Sequence, residues 1–367
     1  MALLSRSNFR LRSTALALIL VTTPLGGQNS ADLHTPVCLI RADPHHKGTL
    51  IAGTATARLF RSRDGGRTWS PLSFPTQLRS TLHALFVDPT LPDVYWAAVS
   101  SETPALAGVY RSVDEGATWT PVPALAQKQV WALTPWQVDG HVIAAGTEKG
   151  IYLTRDGGRD WTRISLLGAQ WPYPVVSLAF DPANSNILYA GTPHLAWKTE
   201  DGGAVWRPIH RGMPEDSDIF SLDVDARKPT RLFVGTCGGV YRSLDGGSTW
   251  SSLERALGGQ IRTYVVTRAP QRPDAVYAGT SAGLMVSRDS GANWRRLSGL
   301  TARSLAFDPE DSRRIFVATD SGVLRIEDGP TSADRHAEAS QAPCVDSGAA
   351  CGPQILHRPI QPARVRQ

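Results

Sequence analysis

An all-β fold, a single seven-bladed propeller of four-stranded antiparallel blades, is what this sequence predicts. Three observations lead there. A motif of the form Ser/Thr-x-Asp-x-Gly-x-x-Trp occurs six times, and its aspartates Asp64, Asp114, Asp156, Asp201, Asp245 and Asp289 lie 50, 42, 45, 44 and 44 residues apart. Around each copy, short apolar or alternating runs are divided by turn residues, as at 175–180, 187–190, 195–198 and 206–209. A seventh unit starts at Ala302 and keeps the first three runs, but its motif has decayed to Ile326-Glu327-Asp328-Gly329 with no tryptophan. Runs of four to six residues bounded by Asp-Pro, Gly-Thr and Asp-Gly-Gly are strands rather than helices. A period near 44 residues built from four strands is that of a propeller blade.

Taken in order, residues 1–27 carry Arg6, Arg10 and Arg12, then an apolar run at 15–21 and small residues. This is the pattern of a secretory signal peptide, and the run is too short to span a bilayer. A secreted or periplasmic protein is expected, with no transmembrane segment once the leader is gone. Residues 28–36 are a linker or a closing strand. The propeller occupies 37–329, its units beginning near Val37, Leu82, Val130, Val175, Ile219, Ile261 and Ala302. Blade seven needs a fourth strand from elsewhere, because a bare edge invites aggregation. Either the N-terminal segment or residues 354–357 would supply it. The tail, 330–367, is rich in Ala, Ser, Pro and Arg without periodicity and is expected to be flexible. Its Cys344 and Cys351 are placed to form a small local disulfide in an oxidising compartment. Cys38 and Cys237 fall in blades one and five, which are not neighbours, so no bridge between them is expected.

Loss of the leader's three arginines lowers the formal charge from +5 to +2. That leaves no electrostatic case for nucleic-acid binding. No cofactor is predicted, and His45-His46 has no third ligand within sequence reach to make a metal site. A monomer is expected.

Each motif falls between the third and fourth strands and must be a tight hairpin loop. Its second glycine supplies a positive φ, its aspartate accepts hydrogen bonds from the loop's own N–H groups, and its tryptophan covers apolar surface. A carboxylate repeated in six blades is not a single catalytic residue, so the six aspartates read as structural. The motif and its surrounding repeat resemble the Asp-box (BNR-repeat) superfamily over residues 37–329. That superfamily includes sialidases, xyloglucanases, the sortilin luminal domain and the photosystem II assembly factor propellers. The resemblance implies the propeller fold, with the boxes on the periphery and away from the binding face.

A ligand site is therefore expected on the opposite face, at the mouth of the central channel, where the links between blades vary in sequence. Aligning the first strands on a Leu-x-Phe pattern gives one column near that mouth: Cys38, His83, Trp131, Val176, Phe220, Arg262 and Arg303. Arg262 and Arg303, in adjacent blades, are candidates to hold a carboxylate or phosphate together. Trp171, in the sequence Trp-Pro-Tyr-Pro, is a candidate aromatic anchor, and His210-Arg211 a candidate loop site. The predicted function is an exported, non-catalytic propeller that binds a protein or carbohydrate partner through this face. The alternative is a sialidase-like or xyloglucanase-like glycoside hydrolase with Asp218, Glu102 or Glu148 as its acids. The resemblance to sialidases is incomplete, because no Phe-Arg-Ile-Pro-like segment and no Tyr–Glu pair can be placed. No catalytic residue is assigned.

Overall fold

A computed structural model describes residues 33, 35–75, 79–165, 174–259 and 261–329. The chain forms seven antiparallel sheets with strands hydrogen-bonded in sequence order. Six sheets have four strands. The seventh, from Ser304–Phe307, Arg314–Thr319 and Gly322–Glu327, has three. The first strands are Val37–Ala42, Ser80–Val87, Val130–Trp136, Ser177–Phe180, Ile219–Val224, Thr263–Ala269 and Ser304–Phe307. Each touches the first strand of the next blade, and the last touches Val37–Ala42, so the ring closes on itself. The expected all-β, seven-bladed architecture and its incomplete last blade are both present. Of the two candidate closing segments, 354–357 lies outside the described residues. The other contributes Leu33, which is buried in the seam between blades seven and one.

Alternation explains why the middle of the second strand of each blade is apolar on both faces. In Tyr95–Ser101, Tyr95, Ala97 and Val99 pack toward blade one while Trp96 and Ala98 pack toward blade three. Successive side chains point to opposite faces, so a strand between two neighbours must be apolar on both. The core is accordingly divided into seven clusters, one for each seam between blades. Full burial of one large apolar side chain contributes about 1.5–3 kcal/mol. A seam of six or more such residues therefore outweighs any single loop motif.

Glycine at the end of the second strand lets the blades approach. A Cβ at Gly235 would lie 2.8 Å from the Thr263 carbonyl oxygen of the next blade, and one at Gly279 would lie 2.7 Å from that of Ala302. The following threonine then takes part in joining the blades: the Ala302 N–H donates to the Thr280 carbonyl at 3.1 Å.

The box loops turn their carboxylates inward on themselves. The Ser243 hydroxyl donates to Asp245 Oδ1 at 2.8 Å, as does the Thr249 N–H, while the Thr249 hydroxyl donates to Oδ2 at 2.6 Å. Gly247, at φ +91°, donates its N–H to Ser243 Oγ at 2.9 Å. The Trp250 indole N–H reaches the Ile209 carbonyl of the preceding blade at 2.7 Å. In blade two the Thr118 hydroxyl, the Thr118 N–H and the Ser112 hydroxyl hold Asp114 at a pKa of about 2. Asp64 is also held at about 2: partial burial pushes it upward, and the Thr68 hydroxyl and N–H outweigh that push. A second set of aspartates, Asp43, Asp88, Asp181, Asp225 and Asp308, is buried in the turns between first and second strands. Each accepts backbone N–H bonds from residues two and three positions on, such as Ala183 to Asp181 at 2.8 Å.

Candidate functional site: the channel mouth

The first strands carry a shared irregularity. In five blades the pairing with the second strand skips one residue at the same point, and the skipped residues are Cys38, His83, Trp131, Phe220 and Tyr264. In blades four and seven the strand begins just after the equivalent residues, Val176 and Arg303. A β-bulge leaves one residue unpaired and re-aims its side chain. The residue before each bulge (Val37, Leu82, Val130, Val175, Ile219, Thr263 or Ala302) is buried in a seam. Six of the seven re-aimed residues are half-buried, and Arg303 is exposed. All of them except Cys38 line the central channel, a cavity of about 520 Å³.

This corrects the predicted column at one place. Blade six contributes Tyr264, not Arg262, which lies just before its first strand. The expected Arg262–Arg303 pair does not form a common anion clamp. The Arg262 guanidinium sits over the Phe220 ring at 5.4 Å, and that of Arg303 over the Tyr264 ring at 5.4 Å. Arg303 is also paired with Asp320 at 2.7 Å. Cations over aromatic faces stabilise the rings' positions, so both arginines act at the rim as backing for aromatic residues.

On the far side of the mouth the His83 and Trp131 rings lie 4.4 Å apart, centroid to centroid. His83 Nε2 shares a hydrogen bond with Ser100 Oγ at 2.7 Å. Burial lowers its pKa to about 4, so the imidazole is neutral near pH 7. Among the described residues the buried Trp131 indole N–H has no hydrogen-bond acceptor. Buried polar groups are nearly always paired, and an unpaired donor at a cavity wall marks a place where a ligand acceptor would gain. Cys38 hydrogen-bonds to the Gly53 carbonyl at 3.3 Å, and burial pushes its thiol up to about 11.

The remaining candidates lie elsewhere. His210 and Arg211 line a separate groove with Lys198, Glu200, Arg207 and the box residues Gly246 and Ser248 of blade five. The fourth strand of blade four is only Arg207–Pro208, and the Arg211 carbonyl accepts the Trp250 N–H at 2.9 Å, which ties this loop to the box side. Trp171, Cys344 and Cys351 lie outside the described residues. Of the three acids, Glu102 is exposed and bonded to Arg79 at 2.9 Å, and Glu148 has one buried oxygen without a partner. His46, Asp93 and Glu115 come together between blades one and two. Glu115 there already holds Arg61 at 3.0 Å and Arg63 at 2.5 Å, so two guanidinium groups sit where a metal ion would need an open ligand. Among the described residues no helix is long and apolar enough to cross a membrane.

The fold and the repeated loops define the class: a seven-bladed β-propeller built on Asp-box repeats. Residues 60–71 match the family model of the BNR/Asp-box repeat, and residues 107–227 match that of sortilin, neurotensin receptor 3. No curated protein sequence matches the chain. Among solved structures, the GH74 xyloglucanase from Xanthomonas campestris superposes with a TM-score of 0.66 at 18% identity, covering 84% of this chain and 54% of that one. The GH74 enzyme of Niastella koreensis gives 0.67 at 17% identity, covering 83% and 54%. YCF48 bound to D1 peptide gives 0.61 at 18% identity, covering 80% of this chain and 94% of that one. The chain thus spans about half the length of the two GH74 enzymes and nearly all of YCF48. Identities this low establish a common fold.

Proposed function

We propose that this chain is an exported, non-catalytic binding propeller that grips a segment of a protein or glycan partner at the channel mouth. The observation that carries this reading is the bulge column. Seven blades each turn one side chain out of the seam packing, and His83, Trp131, Phe220 and Tyr264 make that ring largely aromatic. Aromatic rings with one polar tip are suited to stacking on sugars or packing on a peptide. The orphaned Trp131 N–H adds a directional donor. YCF48, of similar size, was solved with a peptide, which supports a protein partner over a glycan. The likeness to GH74 enzymes favours glycoside hydrolysis as the second reading.

A random-peptide display library and a glycan array, both screened with the full chain, test the proposal. Binders selected on the wild type should lose at least tenfold in affinity with Trp131→Ala or Tyr264→Ala and keep it with Arg211→Ala. Turnover of xyloglucan or aryl glycosides that disappears in Asp218→Asn or Glu148→Gln would overturn the reading in favour of catalysis.

A further inference from the structure

Below the aromatic ring, the channel wall carries a charge, that of Arg41, which no acid among the described residues neutralises. Arg41 is three residues past the bulge of blade one and lines the cavity together with Ser304, Ser221 and Thr267. Its Nη1 donates to the Ile40 carbonyl at 2.7 Å and to Ser304 Oγ at 3.0 Å. Among the described residues no carboxylate lies within ion-pair distance of it. Among the described residues the one acid on the cavity wall is Asp223 of blade five, taken by Arg268 at 2.6 Å; Arg268 also holds Asp225 at 2.6 Å. Arg303, above Arg41 at the rim, is spent on Asp320.

Two serine hydroxyls line the same cavity. Ser304 Oγ accepts from Arg41 and from the Ile40 N–H at 3.4 Å, and Ser221 Oγ accepts from the Val266 N–H at 2.9 Å. Each hydroxyl so engaged still has its own proton to give. A guanidinium fixed through one nitrogen keeps its other N–H groups for a planar, two-pronged acceptor. An enclosed cation without a counter-charge is costly, and an anion drawn in from solvent removes that cost.

We infer that the central channel is an anion site in which Arg41, steadied by Ser304, holds one small oxyanion of the carboxylate or phosphate type. Burial lowers the Arg41 pKa, in keeping with a cation that lacks an acidic partner. The site lies in the same cavity as the aromatic column but uses none of that column's residues.

Calorimetric titration of the full chain with sodium formate and, separately, sodium phosphate at fixed ionic strength tests this. One-to-one binding of at least one of the two is expected, and which of them binds identifies the source chemistry. Arg41→Gln should weaken it at least tenfold, and Arg41→Lys, which keeps the charge but loses the fork, should do nearly the same. Arg255→Gln, at an exposed residue of the short helix Glu254–Leu257 that follows the fourth strand of blade five, should leave it unchanged. Absence of binding by both anions, or equal affinity in wild type and Arg41→Lys, would overturn the inference and leave only weak surface association. If Arg41→Gln does not fold, Arg41→Lys decides it: wild-type affinity in that variant counts against the site.

Discussion

At the box rim Asp245 accepts hydrogen bonds from Ser243 and Thr249, all within one loop. At the channel mouth Trp131 buries an indole N–H that meets no acceptor among the described residues. Both regions repeat around the ring, yet in the first the aspartate accepts from the leading Ser or Thr hydroxyl and from one loop N–H in all six boxes, while the second differs in every blade. The rim spends its polar groups internally and gains a fixed hairpin. The mouth leaves groups unspent and exposes residues that no seam needs. Repetition with satisfied bonds is how the scaffold is held; repetition of position without repetition of chemistry is where a partner is read.

The largest effect expected from this contrast is on the rim. Trp250 is buried and spans the seam to blade four, so Trp250→Ala should cost about 3–5 kcal/mol in urea unfolding. Trp131→Ala at the mouth should cost much less. Equal losses would break the comparison.

Acid should act on the two regions in different windows. His83 has its folded pKa lowered from 6.5 to about 4. Its contribution is therefore complete above pH 6.5 and lost as pH falls toward 4, because the unfolded chain binds the proton first. The loss should approach about 3 kcal/mol and vanish in His83→Asn. Asp64 and Asp114, lowered from 3.8 to about 2, keep their contribution above pH 4 and lose it between pH 4 and pH 2. Following the His83 Cε1–H resonance against pH checks the first window, and a midpoint near 6.5 would mean that the mouth is open to water.

Asp245→Ala should cost about 1–3 kcal/mol, the range for leaving loop donors unpaired, with Asp245→Asn recovering part of it. The smallest effect concerns thiols. Cys237 is exposed and should be alkylated quickly at pH 8. Cys38, with its thiol pushed up to about 11, should react many times more slowly when peptides are mapped by mass.

Much of this architecture was legible beforehand because the box carries its own punctuation: Asp, Gly and Trp at fixed offsets reveal the period, and the period reveals the blades. The column was nearly legible. It failed in blade six because the segment Ile261-Arg262-Thr263-Tyr264-Val265 has no Leu-x-Phe pattern, and a bulge inserts a residue that alternation cannot register. Threonine or asparagine seven residues into four boxes, Thr68, Thr118, Thr249 and Asn293, was visible but its use as a side-chain donor to the aspartate was not. Arg41 went unremarked because, without the bulge, an arginine in a first strand looks like any rim residue. His210 and Arg211 were placed on the wrong edge because a two-residue fourth strand ends too soon to carry the chain across the disc.

The bulge has a consequence for how such a molecule changes over time. A side chain lifted out of the ladder is no part of the seam beside it, so any of the five bulged residues can be exchanged without resealing that joint. Specificity can then drift one spoke at a time while the wheel stays true, and two chains with the same frame need share no quarry.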